Sequence, residues 1–253
     1  MKKLLLVPQL SRLDYKQGYE LLKFIAALED GPCQYADVML SLAHSTPEDK
    51  EVIEELKKKF SRVIIHKCNN AVSGWPHGPN NQACEVFQYV FTGHRDKGWD
   101  YAAFMMIEPD STPLAKDWIK VLYDEWHEGK QLALGAWLEL GDADCGTPHI
   151  NGNCLISPEL IKQNKSMRYP ASTAWDVLFS KILMANGRAS AFIWSDYHLG
   201  TDRNPWKSCK SLFAPKQYKS EIHPLAGKAL KPVWLHGIKT MQGLECAKEK
   251  LIK

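Results

Sequence analysis

Four short apolar runs, separated by stretches of helical period, confine the first 110 residues of this chain to a narrow set of folds. Leu4 to Val7, Val38 to Leu42, Val63 to Ile65 and Ala102 to Ile107 are of strand length and bounded by turn formers. Between them, Thr46-Pro47-Glu48-Asp49 combines a capping hydroxyl, a first-position proline and early acids, which marks a helix start. Ala83, Val86, Phe87, Val90 and Phe91 fall on one helical face, and Gly93 stands where a C-terminal stop is expected. Strands this apolar are buried on both faces, so the alternation predicts an α/β fold with a mostly parallel sheet covered by helices.

The second half reads as mixed. Thr112 to Glu128 predicts a helix, Gln131 to Leu140 a strand, and Gly152 to Ile156 a short strand. Trp175, Leu178, Phe179, Ile182 and Leu183 form one helical stripe ending at Asn186-Gly187, and Ala191 to Trp194 and Val233 to Leu235 are late strands. Asp202 to Pro232 has no period and reads as a long ordered loop or a lid. No repeat or linker interrupts the chain. It is expected to form one domain over 1–253, with a ligand-binding half at 1–110 and a catalytic half at 111–253.

Composition excludes several classes. With 253 residues, 45% hydrophobic and 24% charged, the chain can bury a substantial core. No apolar run approaches the roughly 20 residues needed to span a bilayer. The stretch from Met1 to Val7 imitates a signal peptide but stops at Pro8-Gln9, which favours a buried first strand. Seven cysteines, an odd number without a Cys-x-x-Cys pair, argue against a zinc knuckle or a disulfide framework and suggest a reducing cytoplasm. The net charge of +3 is uneven: from Ser195 to Pro232 it is +4.

Phosphate-binding Gly-x-x-x-x-Gly-Lys, dinucleotide Gly-x-Gly-x-x-Gly, Gly-x-Ser-x-Gly and His-Glu-x-x-His motifs are all absent. The most informative segment is the apolar run from Ala102 to Ile107, which feeds directly into Glu108-Pro109-Asp110. Ligands gather at the carboxyl ends of strands in open α/β sheets, and two carboxylates at i and i+2 share one face of an extended chain. Such oxygens suit Mg2+ or Mn2+ together with substrate phosphates; an ordinary acidic loop is the competing reading.

Four weaker signals accompany it. Gly74-Trp75-Pro76-His77-Gly78-Pro79-Asn80-Asn81 precedes the periodic helix, where glycine permits close backbone approach, Trp75 offers a stacking surface and Asn80 or Asn81 a cap. His149-Ile150-Asn151-Gly152-Asn153 reads as a polar turn ahead of a strand. Ser172-Thr173-Ala174-Trp175-Asp176 opens a helix with Asp176 in its first turn, where a carboxylate often serves only the dipole. Trp234-Leu235-His236-Gly237-Ile238-Lys239 ends a late strand with a histidine and a lysine.

In this order the motifs resemble those of GT-A glycosyltransferases, which transfer a sugar from a nucleotide-sugar donor. The resemblance spans roughly Leu4 to Lys239 and rests on short motifs. It implies that Glu108-Pro109-Asp110 stands at the family's Asp-x-Asp position, with Glu for the first acid. By that resemblance Asp110 and His236 hold Mn2+ or Mg2+, and Pro8, Gln9, Gly74, Trp75, Asn80, Asn81, Glu108 and Lys239 bind the nucleotide sugar, a UDP-sugar being favoured. His149, Asn151, Gly152, Asn153, Trp175 and Trp206 are assigned to the acceptor, and Asp176 to the base that deprotonates it.

The basic stretch interleaves Arg203, Lys207, Lys210, Lys216, Lys219, Lys228 and Lys231 with Tyr197, Trp206, Phe213 and Tyr218. Cations among aromatics suit a polyanion with stackable bases, and the compact plan also resembles phage enzymes that glycosylate hydroxymethylated DNA bases in the host cytoplasm. A lid that folds over the donor is the alternative. Neither a membrane nor an obligate protein partner is indicated. A nucleotidyltransferase and a non-catalytic nucleic-acid- or carbohydrate-binding module remain the competing functions; the first usually carries a glycine-rich loop where this chain has Pro8-Gln9-Leu10-Ser11-Arg12.

Overall fold

The computed structural model describes residues 1–69, 71–72, 74–139, 147–170, 173–196, 208–218 and 220–252. In chain order the elements are β1 (Leu4–Leu10), α1 (Tyr15–Leu28), β2 (Ala36–Leu42), α2 (Lys50–Lys59), β3 (Val63–Lys67), α3 (His77–Asp96), β4 (Ala103–Ile107) and β5 (Ser111–Pro113). They continue with α4 (Trp118–Glu128), β6 (Ala133–Leu138), β7 (His149–Ile156), α5 (Pro158–Gln163), α6 (Trp175–Leu178), α7 (Ser180–Asn186), β8 (Gly187–Ala189) and β9 (Ile193–Ser195). The last elements are α8 (Cys209–Leu212), β10 (Trp234–His236) and α9 (Met241–Ile252).

Seven strands form one sheet in the order β3-β2-β1-β4-β7-β6-β8. β1 pairs in parallel with both β2 and β4, and β2 with β3, whereas β7 runs antiparallel to β4 and β6. The β1 residues Leu4, Leu6 and Leu10 pack with α1, α2, α4 and α9 on one face. Leu5 and Val7 pack with α3, α5, α6 and α7 on the other. Burial on both faces is why these strands read as unbroken apolar runs. A second sheet, β5-β10-β9, begins just beyond β4, so Glu108-Pro109-Asp110 bridges the two sheets.

The local departures from expectation have identifiable causes. Pro8 and Gln9 lie within β1 rather than ending it, and α2 is capped by the Asp49 side chain, which accepts from the Val52 N–H at 3.1 Å, instead of by Thr46. Gly93 is not a stop, because α3 runs on to Asp96 and a Cβ at Gly93 would strike the Trp99 ring at 2.2 Å. Thr112 belongs to β5, which delays the helix to Trp118. The stripe from Trp175 to Leu183 is split at Phe179 into α6 and α7.

Residues 149–153 are part of β7, not a turn before it. Between Gly135 and Trp137 the register against β7 shifts, and within that irregularity the Asn153 N–H donates to Asn151 Oδ1 at 3.0 Å. The polar composition thus marks a bulge, which re-aims side chains at a sheet's functional edge. Cys209 and Cys246 form a disulfide joining α8 to α9. An odd cysteine count concealed this pair because bonding depends on the 5.5 Å approach of the Cα atoms. Among the described residues no helix is long and apolar enough to cross a membrane.

Candidate active site

The site is built where β1 has β2 on one side and β4 on the other, the point at which strand order reverses and a crevice opens beyond the strand ends. Glu108 and Asp110 leave β4 there. Strand β10 then brings His236 alongside, paired with Ser111 on β5 and Ser195 on β9. His236 Nε2 lies 2.8 Å from Glu108 Oε2 and 3.3 Å from Asp110 Oδ1. The three ligand atoms fall within 4.8 Å of one another.

Backbone geometry holds this cluster in place. The N–H groups of Gly237 and Ile238 donate to the Asp110 carbonyl at 3.0 and 2.7 Å. Gly237 adopts φ +97°, a conformation that penalises any residue with a Cβ. Asn153 Oδ1 accepts from the Glu108 N–H at 3.1 Å, tying the β7 bulge to the acidic segment. Lys239 Nζ contacts Asp110 Oδ2 directly.

The charges are strongly coupled. Burial opposes ionisation of Asp110, but His236 and Lys239 outweigh it and hold the carboxyl well below the usual range. Burial disfavours a charged His236, yet Asp110 and Glu108 together raise its pKa to about 10. Two carboxylate oxygens and one imidazole nitrogen of this spread form a donor set able to hold a divalent metal ion.

Asp176 opens α6, buried at 6% exposure. Burial raises its pKa and nearby Glu108 adds to this, while His149 opposes it. His149 Nε2 is 3.7 Å from Asp176 Oδ2. Gly152 separates the two acids: an added Cβ would stand 2.8 Å from Glu108 Oε1 and 3.5 Å from Asp176 Oδ2. The chain therefore places Glu108, Asp110, His236, Lys239, Gly152, Asn153, His149 and Asp176 in one connected group.

Other expected residues lie elsewhere in the arrangement. Asn80 and Asn81 are buried inside α3 rather than capping it, because the helix starts at His77; Asn80 Nδ2 donates to the Thr173 carbonyl, linking α3 to the approach to α6. Gly74 has φ +84°, and Trp75 is 78% exposed beside the start of α3. Trp175 is 2% exposed, edge-on to Phe87 in the core, and presents no open face to an acceptor. Trp206, Arg203, Lys207, Lys219, Tyr197 and Ser172 lie outside the described residues.

Two contributors carried no signal in the sequence. Ser195 Oγ meets His236 Nδ1 at 3.0 Å; only the pairing of β9 with β10 brings it there. Gln82 on α3 donates to the Ser41 carbonyl at 2.8 Å and to Ser41 Oγ at 3.1 Å, securing the end of β2 beside β1. The helical period of α3 placed Gln82 next to the apolar face without indicating a buried amide.

No protein-family model and no curated protein sequence matches the chain. Similarity emerges among solved structures. S. aureus TarS, residues 1–349, aligns with a TM-score of 0.52 at 14% identity, covering 74% of this chain and 58% of that one. The same protein in complex with UDP-GlcNAc gives 0.51 at 17% identity, covering 75% and 56%. The bifunctional glycosyltransferase WbbM gives 0.57 at 10% identity, covering 99% of this chain and 50% of that one. The chain thus spans only about half the length of the structures it resembles. With its seven-stranded, mostly parallel sheet between helical layers, it has the GT-A-type fold of glycosyltransferases.

Proposed function

We propose that the chain is a metal-dependent glycosyltransferase, moving a sugar from a nucleoside-diphosphate donor, a UDP-sugar favoured, to an acceptor hydroxyl. The observation that carries this reading is the convergence of Glu108, Asp110 and His236 at the switch point of a GT-A-type sheet, with Lys239 on Asp110. TarS, of like fold, binds UDP-GlcNAc, which supports a nucleotide sugar as donor.

When bound, Mn2+ or Mg2+ would neutralise charge on the leaving diphosphate; Asp110 and His236 would hold it, with Glu108 beside them. Lys239 turns from Asp110 to the diphosphate and adds a second positive charge where negative charge develops. The anomeric carbon becomes oxocarbenium-like as its bond to the phosphate oxygen breaks. Asp176 Oδ2 accepts the acceptor's hydroxyl proton, and burial makes this carboxylate a stronger base than an exposed aspartate. Asn153 and His149 flank the path between donor acids and base, while Gly152 leaves it open. An inverted product assigns Asp176 this role; a retained one leaves it to orient the acceptor.

The narrower reading, a hydroxymethylated base in DNA as acceptor, rests on the basic stretch. Within its described part Lys210, Lys228 and Lys231 are exposed, while Lys216 is half-buried and donates to the Ser211 carbonyl at 3.0 Å. Transfer to duplex DNA with and without hydroxymethylated bases distinguishes this acceptor from a saccharide.

The first test is thermal unfolding with UDP, GDP, CDP, ADP and dTDP, each with and without Mn2+. Binding to the folded state alone adds about 2.7 kcal/mol at a ligand concentration 100 times Kd. The expected result is a metal-requiring shift with one nucleotide, abolished in Asp110→Ala, together with metal-dependent release of that nucleotide from its sugar. No shift with any nucleotide would turn the reading to a binding module. Release of pyrophosphate from a nucleoside triphosphate would turn it to a nucleotidyltransferase.

A further inference from the structure

A second group of metal-ligating side chains lies apart from the acidic site, at the outer edge of the main sheet. His66 occupies β3, the edge strand, in register with Ser41 of β2. Cys68 follows the strand, its N–H donating to the Leu42 carbonyl at 2.8 Å. Glu85 projects from α3, whose Tyr89, one turn later, stacks on the His66 ring at 4.2 Å and 21°. The His66, Cys68 and Glu85 ligand atoms all lie within 4.8 Å of one another.

The surroundings prepare these groups for a cation. His66 Nε2 is buried and has no hydrogen-bond partner among the described residues. An orphaned ring nitrogen in a native fold calls for a missing partner. The Asn69 N–H donates to Glu85 Oε2 at 2.8 Å and tethers the carboxylate beside the strand end, as an outer partner orients a ligand. Cys68 is 4% exposed, with its sulfur 3.6 Å from Ser41 Oγ.

We propose that His66, Cys68 and Glu85 form a zinc site that pins the carboxyl end of edge strand β3 to α3. Nitrogen, sulfur and oxygen donors satisfy three positions of a four-coordinate Zn2+ and leave the fourth to water or another small ligand. The thiolate is what separates this site from the oxygen-rich Glu108, Asp110 and His236 group: soft sulfur selects Zn2+ over Mg2+ or Mn2+. On binding, the Cys68 thiol proton passes to solvent and a sulfur–zinc bond replaces the S–H bond. The inference stands independently of the proposed transferase activity.

The test titrates the full-length chain with Co2+, a spectroscopic probe for Zn2+. One equivalent should produce a thiolate-to-cobalt charge-transfer band and the visible bands of four-coordinate cobalt, both displaced by Zn2+ and untouched by excess Mg2+. Asp110→Asn should keep the band. Cys68→Ser should lose it, and His66→Gln and Glu85→Gln should each weaken Co2+ affinity at least tenfold, with circular dichroism confirming that each variant folds. Absence of the band, or its survival in folded Cys68→Ser, would overturn the proposal. Should Cys68→Ser fail to fold, an affinity unchanged in both His66→Gln and Glu85→Gln would do the same.

Discussion

Ser195 Oγ stands 3.0 Å from His236 Nδ1, on a parallel strand that sets the two residues side by side in register. The contact fixes the plane of the imidazole and leaves Nε2 directed at Glu108 and Asp110. In a buried cluster whose charges depend on one ring orientation, this serine holds the arrangement without touching a carboxylate itself.

Ser195→Ala should therefore weaken Mn2+ binding by about 10- to 100-fold, the usual cost of removing an outer partner of a ligating histidine. The melting temperature without metal should change little. Calorimetric titration of Mn2+ into both proteins checks this; equal affinities would remove Ser195 from the site.

Gly152→Ala places a methyl group 2.8 Å from Glu108 Oε1 and 3.5 Å from Asp176 Oδ2. The carboxylate must give way, so metal-dependent nucleotide release should fall by at least tenfold. Because Glu108 Oε1 is the far end of a flexible, partly exposed side chain, it moves aside at little cost to folding, and urea denaturation should find stability nearly unchanged. An unchanged turnover would show that the gap between the two acids is not used.

Asp176→Asn should abolish sugar transfer while leaving the nucleotide-induced thermal shift intact. A base works only when ionised, so in the unsubstituted enzyme activity is lost as pH falls through the Asp176 pKa. Burial raises that pKa from the ordinary 3.8, which sets the acid limb of the rate profile above that value. An acid limb at or below 3.8 would contradict the assignment.

Glu125, 3% exposed on α4, accepts from Ser190 Oγ at 2.6 Å and from the Ala191 N–H at 2.8 Å. Glu125→Ala leaves those donors unsatisfied and should cost about 1–3 kcal/mol. Burial raises the carboxyl's pKa above 4.5 despite these bonds. The neutral form's stabilisation is complete below 4.5 and is lost as pH rises through the raised native value. Denaturant midpoints over that window should show the cost of the substitution shrinking as pH rises.

Reduction of Cys209–Cys246, a bridge across 37 residues, should lower stability by about 3–4 kcal/mol on the chain-entropy account. Unfolding with and without dithiothreitol measures it, with Cys246→Ser as the control that should no longer respond.

How much was legible beforehand follows from the range over which each interaction acts. Apolar strand runs and the period of α3 are local, and they determined the covered parallel sheet and placed Glu108 and Asp110 at its carboxyl edge. The chemistry of a carboxylate pair after an apolar strand is likewise written in adjacent residues. Strand pairing is not local. Whether His149 to Asn153 turned or bulged depended on β6, and whether Trp175 faced a ligand or the core depended on Phe87. Tertiary structure also set His236 against two acids, gave it Ser195 as a partner and brought Cys209 to Cys246. Such contacts join residues far apart in the chain, and their geometry exists only once β9, β10 and the helices have packed.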